Sequence, residues 1–157
     1  DLYTQVSALF YHLWDTIRGG GSLLVDYTSG AGESFFGIFA YYLVSPINLI
    51  VLLFKRNDIY LAISLVVALK IILSSITCLY SLKYIFKKDN LMFVPLSLLY
   101  AFSGYTLVCY QITSWMDVVY MFPLIVVGLK KLIDEDKPIM YGVTLFLTIC
   151  FSFYLSY

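Results

Sequence analysis

The sequence predicts an all-α protein, a polytopic transmembrane helix bundle with amphipathic juxtamembrane helices at its N-terminus. Hydrophobic residues make up 61% of the 157 residues and charged residues only 13%, whereas soluble domains carry about 25% charged residues. Mean hydropathy is +0.87, and apolar runs of spanning length recur after residue 58. The first segment is different, because it alternates apolar and polar faces at helical spacing.

The first predicted helix covers residues 1–18 and is amphipathic. Its apolar face carries residues at helical spacing: Leu2, Val6, Leu9, Phe10, Leu13, Trp14 and Ile17. The opposite face carries a second, polar set: Asp1, Gln5, His12 and Asp15. The glycines at 19–21 end this helix, and residues 22–34 predict an irregular surface loop.

The next apolar segment, residues 35–54, is divided by Ser45-Pro46. Proline interrupts a helix, and each piece is shorter than the roughly 20 residues that a span needs. The sequence therefore allows one kinked span, which places the N-terminal segment in the cytoplasm. It also allows two interfacial or re-entrant helices, over 34–44 and 47–54, which leave all of residues 1–58 outside.

Four clearer spans follow, over residues 59–82, 91–110, 116–132 and 139–157, with Pro123 predicted to shorten or kink the third. The loops 83–90 and 130–138 each hold three lysines, and the turn 111–117 holds no basic residue. By the positive-inside rule the two lysine loops are cytoplasmic and the 111–117 turn faces outward. The missing initiator Met and the apolar end suggest a piece of a longer protein.

Three residues are candidates for chemistry. Asp1 could accept a proton from a hydroxyl or bind a divalent metal, or could simply complement a helix dipole. Lys70 lies mid-span with Ser74, Thr77 and Ser81 on the same stripe, so it predicts either a buried ion pair or a contact with an anionic ligand. Asp117 lies at the outer mouth of two spans, where it could bind substrate or cap a helix.

Other classes of site find little support. Net charge is zero, so nothing favours nucleic-acid binding. Cys78, Cys109 and Cys150 lie in apolar runs at wide spacing, which is typical of buried small hydrophobes rather than of a metal site or a disulfide.

Several motifs occur in an order that resembles one family. They are D-L-Y-T-Q at residues 1–5, Gly30-Ala31-Gly32, Y-Y-L-x-S-P-x-N-L from Tyr41, the midmembrane Lys70, L-Y-A-F-S-G-Y from Leu99 and W-M-D-x-x-x-x-x-P-L from Trp115. Together they resemble the bacterial YfhO-type membrane proteins, and the resemblance covers nearly the whole chain. It implies a GT-C class glycosyltransferase, in a multi-pass bacterial cell membrane protein with residues 1–58 extracytoplasmic.

The resemblance implies a mechanism as well as a location. The donor would be a polyprenyl-phosphate-linked sugar and the acceptor a cell-envelope polymer such as lipoteichoic acid, within the lipid bilayer. Asp1 would be the catalytic general base, and the substrate-binding residues would be Lys70, Asp117, Gln5 and Tyr41. No cofactor is assigned, although a divalent metal is compatible with this chemistry, and the isolated piece is expected to be inactive.

Two other functions stay open. In a transporter or flippase-like protein, Lys70 and Asp117 would line a substrate path. In a structural membrane subunit, Asp1 and Lys70 would both tolerate substitution.

Overall fold

The protein is described by a computed structural model that covers residues 2–22, 24 and 34–156. These residues form helices and no strand, which confirms the all-α class for this part of the chain. The α-helices are α1 (Ser7–Arg18), α2 (Phe35–Ile38), α3 (Ile59–Phe86), α4 (Phe93–Ala101), α5 (Gly104–Cys109), α6 (Thr113–Glu135), α7 (Pro138–Phe151) and α8 (Phe153–Ser156). Short π-helices cover Leu2–Val6 and Phe39–Leu43, and 3₁₀-helices cover Pro46–Leu53 and Arg56–Asp58.

The N-terminal helix buries its apolar face, as its periodicity predicts. The side chains of Val6, Phe10 and Leu13 are inaccessible and pack with Phe35 and the first half of α3 in one hydrophobic cluster. Ile17, predicted on the same face, is 41% exposed near the end of α1. On the predicted polar face, Gln5 is exposed and His12 and Asp15 are half-buried.

Residues 35–53 form two short helical arms, Phe35–Leu43 and Pro46–Leu53, which meet at 106°. We call these arms the bent pair. Pro46 opens the second arm, where its missing N–H costs nothing. Ser45 lies in the turn between the arms with an extended ψ of 128°, as expected for the residue before a proline.

The two ends of the bent pair lie beside the same helix. The Phe35 ring packs edge-on against His12 of α1, with centroids 4.2 Å apart. At the other end, Trp14 of α1 donates its Nε1–H to the carbonyl of Phe54 at 2.9 Å. Both arms therefore pack along the N-terminal helical segment, with the turn at Ser45 between them.

Helix α3 has an arrangement suited to lipid. Its buried positions change from apolar in the first half to polar in the second, where Lys70, Ser74, Thr77 and Ser81 are all buried. Its exposed side chains are large and apolar, including Leu61, Leu65, Ile72 and Ile76. A polar inner face with an apolar outer face is the reverse of a soluble protein and fits a helix surrounded by lipid.

The described residues contain fewer helices of membrane-spanning length than the sequence predicts. Among the described residues, one helix, Arg56–Phe86, is long and apolar enough to cross a membrane, or two if the bent pair counts as one span. The segment expected to span 91–110 is divided at Phe102 and Ser103, where Ser103 is extended. The segment expected to span 139–157 is interrupted at Ser152. The four-span arrangement is therefore not established by helix length.

Helix α6 is longer than predicted and continues through Pro123. Proline has no N–H, so the carbonyl four residues earlier, that of Val119, loses its usual helical partner. The hydroxyl of Tyr100 on α4 donates to that carbonyl at 2.7 Å. A side chain from a neighbouring helix thus satisfies the freed carbonyl, which explains why α6 is neither ended nor shortened here.

The two lysine loops lie together at one end of the molecule. Tyr84, near the end of α3, hydrogen-bonds through its hydroxyl to Glu135 at the end of α6. The Lys131 ammonium lies 5.0 Å from the centre of the Tyr84 ring. Because α1 packs at the opposite, N-terminal end of α3, residues 2–22 and the lysine loops occupy opposite ends of this helix.

Candidate functional site

The centre of the candidate site is a buried ion pair between Lys70 of α3 and Asp117 of α6. The Lys70 ammonium lies 2.9 Å from each oxygen of the Asp117 carboxylate. Both side chains are 0% exposed. Of the two interpretations given to Lys70, a buried ion pair or a contact with an anionic ligand, the structure shows the ion pair.

Further polar groups complete the coordination of both charges. Lys70 Nζ donates to the main-chain carbonyl of Thr113 at 2.9 Å, so its donors have acceptors on two sides. Ser45 Oγ donates to Asp117 Oδ1 at 2.8 Å, and the Tyr120 hydroxyl interacts with the same carboxylate. A buried charge is tolerated when it is paired and hydrogen-bonded in this way.

Local sequence explains why these groups converge. Lys70 and Ser74 are one helical turn apart on the buried face of α3, and Ser74 Oγ donates to the Lys70 carbonyl at 2.8 Å. Asp117 and Tyr120 are three residues apart on α6, so they share a face. Ser45 reaches them only because the bent pair turns at Ser45-Pro46.

Ser45 and Tyr120 were missed as site residues from sequence. A signal existed for both: Ser45 precedes the proline that breaks an apolar run, and Tyr120 follows the only acid of its predicted span at i+3. Neither signal reveals which acid and which lysine meet, because that depends on long-range packing.

Two buried polar atoms beside this network have no hydrogen-bond partner among the described residues: Asn48 Oδ1 and Ser114 Oγ. Asn48 closes the Ser45 turn, with its main-chain N–H donating to the Ser45 carbonyl at 2.9 Å. Ser114 follows Thr113, whose carbonyl binds Lys70. Unsatisfied buried polar atoms are rare in native proteins, so this region has spare capacity to bind a polar group or water.

The remaining predicted site residues form a separate group at the surface. Gln5 Nε2 donates to the Tyr42 hydroxyl at 3.4 Å. Tyr41 packs edge-on against Tyr42 at 4.5 Å and lies 6.4 Å from the Tyr154 ring. Gln5 and Tyr41 are thus brought together through Tyr42, while Lys70 and Asp117 are buried beyond the Ser45 turn. Asp1, the predicted general base, lies outside the described residues.

Comparison with known proteins identifies the family. The family model described as bacterial membrane protein YfhO matches residues 1–157. The chain belongs to the YfhO family. The resemblance carried by the ordered motifs is therefore confirmed, and the chain is a member of a bacterial membrane protein family. Neither the curated proteins nor the solved structures contain a match.

In this YfhO-family chain, polar contacts fix α1 to the segment between the bent pair and α3. Arg56 donates two hydrogen bonds to the Asp15 carboxylate, Nε to Oδ1 at 2.8 Å and Nη2 to Oδ2 at 2.9 Å. These hydrogen bonds hold the pKa of Asp15 below its ordinary value. Arg18 donates to the Leu52 carbonyl at 2.7 Å. Helix α1 is therefore held against the second arm of the bent pair and the residues that follow it.

The described part of the chain has no cluster of potential metal ligands. No three His, Cys, Asp or Glu residues there are grouped so that they could hold a metal ion. Asp117, the buried acid of the site, already has Lys70 and Ser45 as partners. The described residues therefore identify no ligand set for the divalent metal that the sequence left open.

Proposed function

We propose that this chain contributes the site of a membrane glycosyltransferase of the GT-C type. The enzyme would transfer a sugar from a polyprenyl-phosphate donor to a cell-envelope glycan or teichoic-acid-type acceptor on the outer face of the bacterial membrane. The observation that carries the proposal is the course of the bent pair, whose turn binds the Lys70–Asp117 ion pair through Ser45 and whose second arm ends at Trp14 of α1.

The length of the second arm can be compared with the distance from the start of α3 to Lys70. Lys70 is eleven residues after Ile59, the first residue of α3, which is about 16 Å along the helix axis. The second arm, Pro46–Leu53, has eight residues in 3₁₀ conformation, which is also about 16 Å. The arm is therefore long enough to return from the level of Lys70 to the start of α3, as a re-entrant segment does.

Charge distribution gives this re-entrant segment an orientation. The lysine loops lie at the far end of α3, and the positive-inside rule places them in the cytoplasm. The opposite end, where α1 and both ends of the bent pair lie, would then face outward. This favours the juxtamembrane alternative for residues 34–54 over a kinked span, with residues 1–58 outside.

The proposed reaction needs a base and a place for the sugar. Asp1 would take the proton of the acceptor hydroxyl while the hydroxyl oxygen attacks the anomeric carbon. The bond from that carbon to the phosphate oxygen breaks, and polyprenyl phosphate leaves with the electron pair. Gln5 and Tyr41, at the polar surface that α1 shares with the first arm, would contact the sugar or acceptor. The assignment of Asp1 depends on the sequence and the family.

Lys70 and Asp117 have two roles in this proposal. In the arrangement that the structure shows, they hold the Ser45 turn, and therefore the surface that carries Tyr41, in place. The Lys70 ammonium has no accessible surface in this state, so a contact with the donor phosphate requires the ion pair to open. The unsatisfied atoms of Asn48 and Ser114 supply polar partners for such an opening.

The decisive test is Asp1→Asn in the full protein. Loss of a general base should lower sugar transfer by about 10²- to 10⁴-fold, with expression and membrane insertion unchanged. Asp58→Asn, a change of an exposed acid at the start of α3, is the matched control and should keep full transfer. Retained transfer in Asp1→Asn would overturn the assignment of the base.

The orientation is tested separately by placing a cysteine at Ser22 in a variant whose Cys78, Cys109 and Cys150 are replaced. A membrane-impermeant thiol reagent should label it in intact cells. Labelling only after the cytoplasmic side is opened would contradict the outer-face reaction.

A transporter or flippase-like protein is the second candidate, because a fully buried charge pair within a membrane-capable helix marks substrate paths in such proteins. It predicts that Lys70→Met abolishes movement of a lipid-linked sugar across vesicles while Asp1→Asn does not. The glycosyltransferase proposal instead predicts that Asp1→Asn abolishes the activity of the protein, which is sugar transfer.

A further inference from the structure

The lysine end of α3 carries a basic cup that the proposed reaction does not use. A cavity of about 210 Å³ is lined by Lys83, Lys87, Lys88 and Asp89. Lys83 and Asp89 form an ion pair across it at 2.5 Å. With three ammonium groups and one carboxylate, the cup keeps a net charge of +2 after that pair is counted.

An apolar groove continues from the cup along the face between α3 and α4. Its first part, about 240 Å³, shares Lys83 and Asp89 with the cup and adds Leu79, Leu91 and Val94. Its second part is a separate depression of about 190 Å³, lined mainly by Ile72, Ile76, Leu98 and Phe102. Leu79 of the first part and Ile76 of the second are three residues apart on α3, so the two parts lie about one turn apart on the same face. The cup and the groove together give this face a charged end and an apolar length.

The length of this surface matches one leaflet of a bilayer. Lys83 and Ile72 are eleven residues apart on α3, which corresponds to about 16 Å. The hydrocarbon core is about 30 Å thick, so one leaflet supplies about half of that. The charged end lies at the boundary of α3, where a headgroup would be found.

We propose that this surface binds one anionic phospholipid, with the phosphate in the lysine cup and an acyl chain in the groove between α3 and α4. Basic pockets at the ends of membrane helices attract anionic headgroups, and the charge of +2 is complementary to a phosphodiester. The groove favours a lipid over a free phosphate, because an acyl chain can occupy its apolar surface and a free phosphate has no such chain. The bound lipid would fix α4 against α3 at the end opposite the re-entrant segment.

The test uses the full protein in detergent, with binding of phosphatidylglycerol measured by native mass spectrometry and phosphatidylcholine as the uncharged comparison. The double variant Lys87→Gln, Lys88→Gln should weaken phosphatidylglycerol binding by about tenfold or more. Lys137→Gln, which removes an exposed lysine outside the cup, should leave it unchanged. Equal binding by the double variant and the unmodified protein would overturn the proposal.

A groove variant separates a lipid from a free anion. Ile76→Trp fills the groove at an exposed position and should also weaken phosphatidylglycerol binding by several-fold, while the cup stays intact. Glycerol 3-phosphate should compete poorly. Competition by glycerol 3-phosphate as strong as that of the lipid, or unchanged lipid binding in Ile76→Trp, would contradict an occupied groove.

Discussion

The Lys70 ammonium and the Asp117 carboxylate form a fully buried ion pair. The pair joins residues 47 positions apart, and the Ser45 hydroxyl, 72 positions from Asp117, binds the same carboxylate. Three segments that are distant in sequence are therefore fixed at one point. The Ser45 hydrogen bond thus fixes the turn of the bent pair to α6 and, through the ion pair, to α3.

The first prediction concerns the two charges of this pair. Asp117→Ala should destabilise the protein by about 3–5 kcal/mol, because it leaves the Lys70 ammonium buried without a counter-charge. Lys70→Met should destabilise the protein by a similar amount, because it leaves the Asp117 carboxylate buried without a counter-charge. The double variant Lys70→Met, Asp117→Leu removes both charges, so it should recover most of the loss. Unfolding of the full protein in detergent measures all three.

Recovery of stability in the double variant would show that Lys70 and Asp117 interact directly. If the two single losses simply add in the double variant, each residue acts independently and the ion pair does not position the Ser45 turn. Sugar transfer by the stable double variant then tests the functional role of the pair. Near-normal transfer would show that neither charge is needed for the reaction. A loss would show that the pair contributes, by holding the Ser45 turn or by contacting the donor phosphate.

Part of this architecture could be read from the sequence. The period of α1, the polar stripe that begins at Lys70 and the break at Ser45-Pro46 are local signals, and each predicts a feature of the structure. The pairing of Lys70 with Asp117 is different, because it depends on which helices pack together. A single sequence shows that a buried lysine needs a counter-charge, but it does not show which residue supplies that charge.

The interruptions of the C-terminal helices were missed for a related reason. Hydropathy stays high through Phe102 and Ser152, so composition alone predicts continuous spans. Serine and threonine hydroxyls make further hydrogen bonds at both breaks. Ser156 Oγ donates to the Thr148 carbonyl at 2.9 Å, and the Ser103 and Thr106 hydroxyls are 3.3 Å apart. Local hydrogen bonds of this kind compete with regular helix, and hydropathy does not register them.

The second prediction concerns Pro123 and the hydroxyl that compensates for it. Tyr100→Phe should destabilise the protein by about 1–3 kcal/mol, because the Val119 carbonyl loses its donor. In a Pro123→Ala background the alanine N–H can bond to that carbonyl, so Tyr100→Phe should cost much less there. A double-mutant cycle on the unfolding free energy measures the difference. An equal cost in both backgrounds would show that the hydroxyl does not serve the proline.

The third prediction concerns the contact between α6 and α7. A Cβ added at Gly128 would lie 2.7 Å from Tyr141 Cα and 2.8 Å from its main-chain nitrogen. Those atoms belong to the backbone of α7, so Gly128→Ala must push the helices apart and should cost about 1–3 kcal/mol. Small residues permit such close helix packing in membranes.

Gly142→Ala on α7 is the matched control, because a Cβ there meets nothing within 4 Å. It should be neutral or slightly stabilising, since alanine favours the helix. Thermal unfolding of both variants gives the comparison. A loss in Gly142→Ala as large as that in Gly128→Ala would mean that close helix contact is not the cause.

The fourth prediction concerns pH and the exposed pair of Asp15 and Arg56. The pKa of Asp15 is lowered from 3.8 in the folded protein, first by its hydrogen bonds with Arg56. A lowered carboxyl pKa stabilises the fold above the unfolded value and loses that effect as pH falls through the folded value. Asp15→Asn should therefore cause a small loss of stability near pH 7, since the pair is exposed. The difference from the unmodified protein should shrink as pH falls below 3.8 and vanish once pH is below the lowered pKa of Asp15. In an Arg56→Gln background the same change should have little effect at either pH. Melting temperatures across this range test it, and a difference that persists undiminished at the acid end would show that α1 is not held by this ion pair.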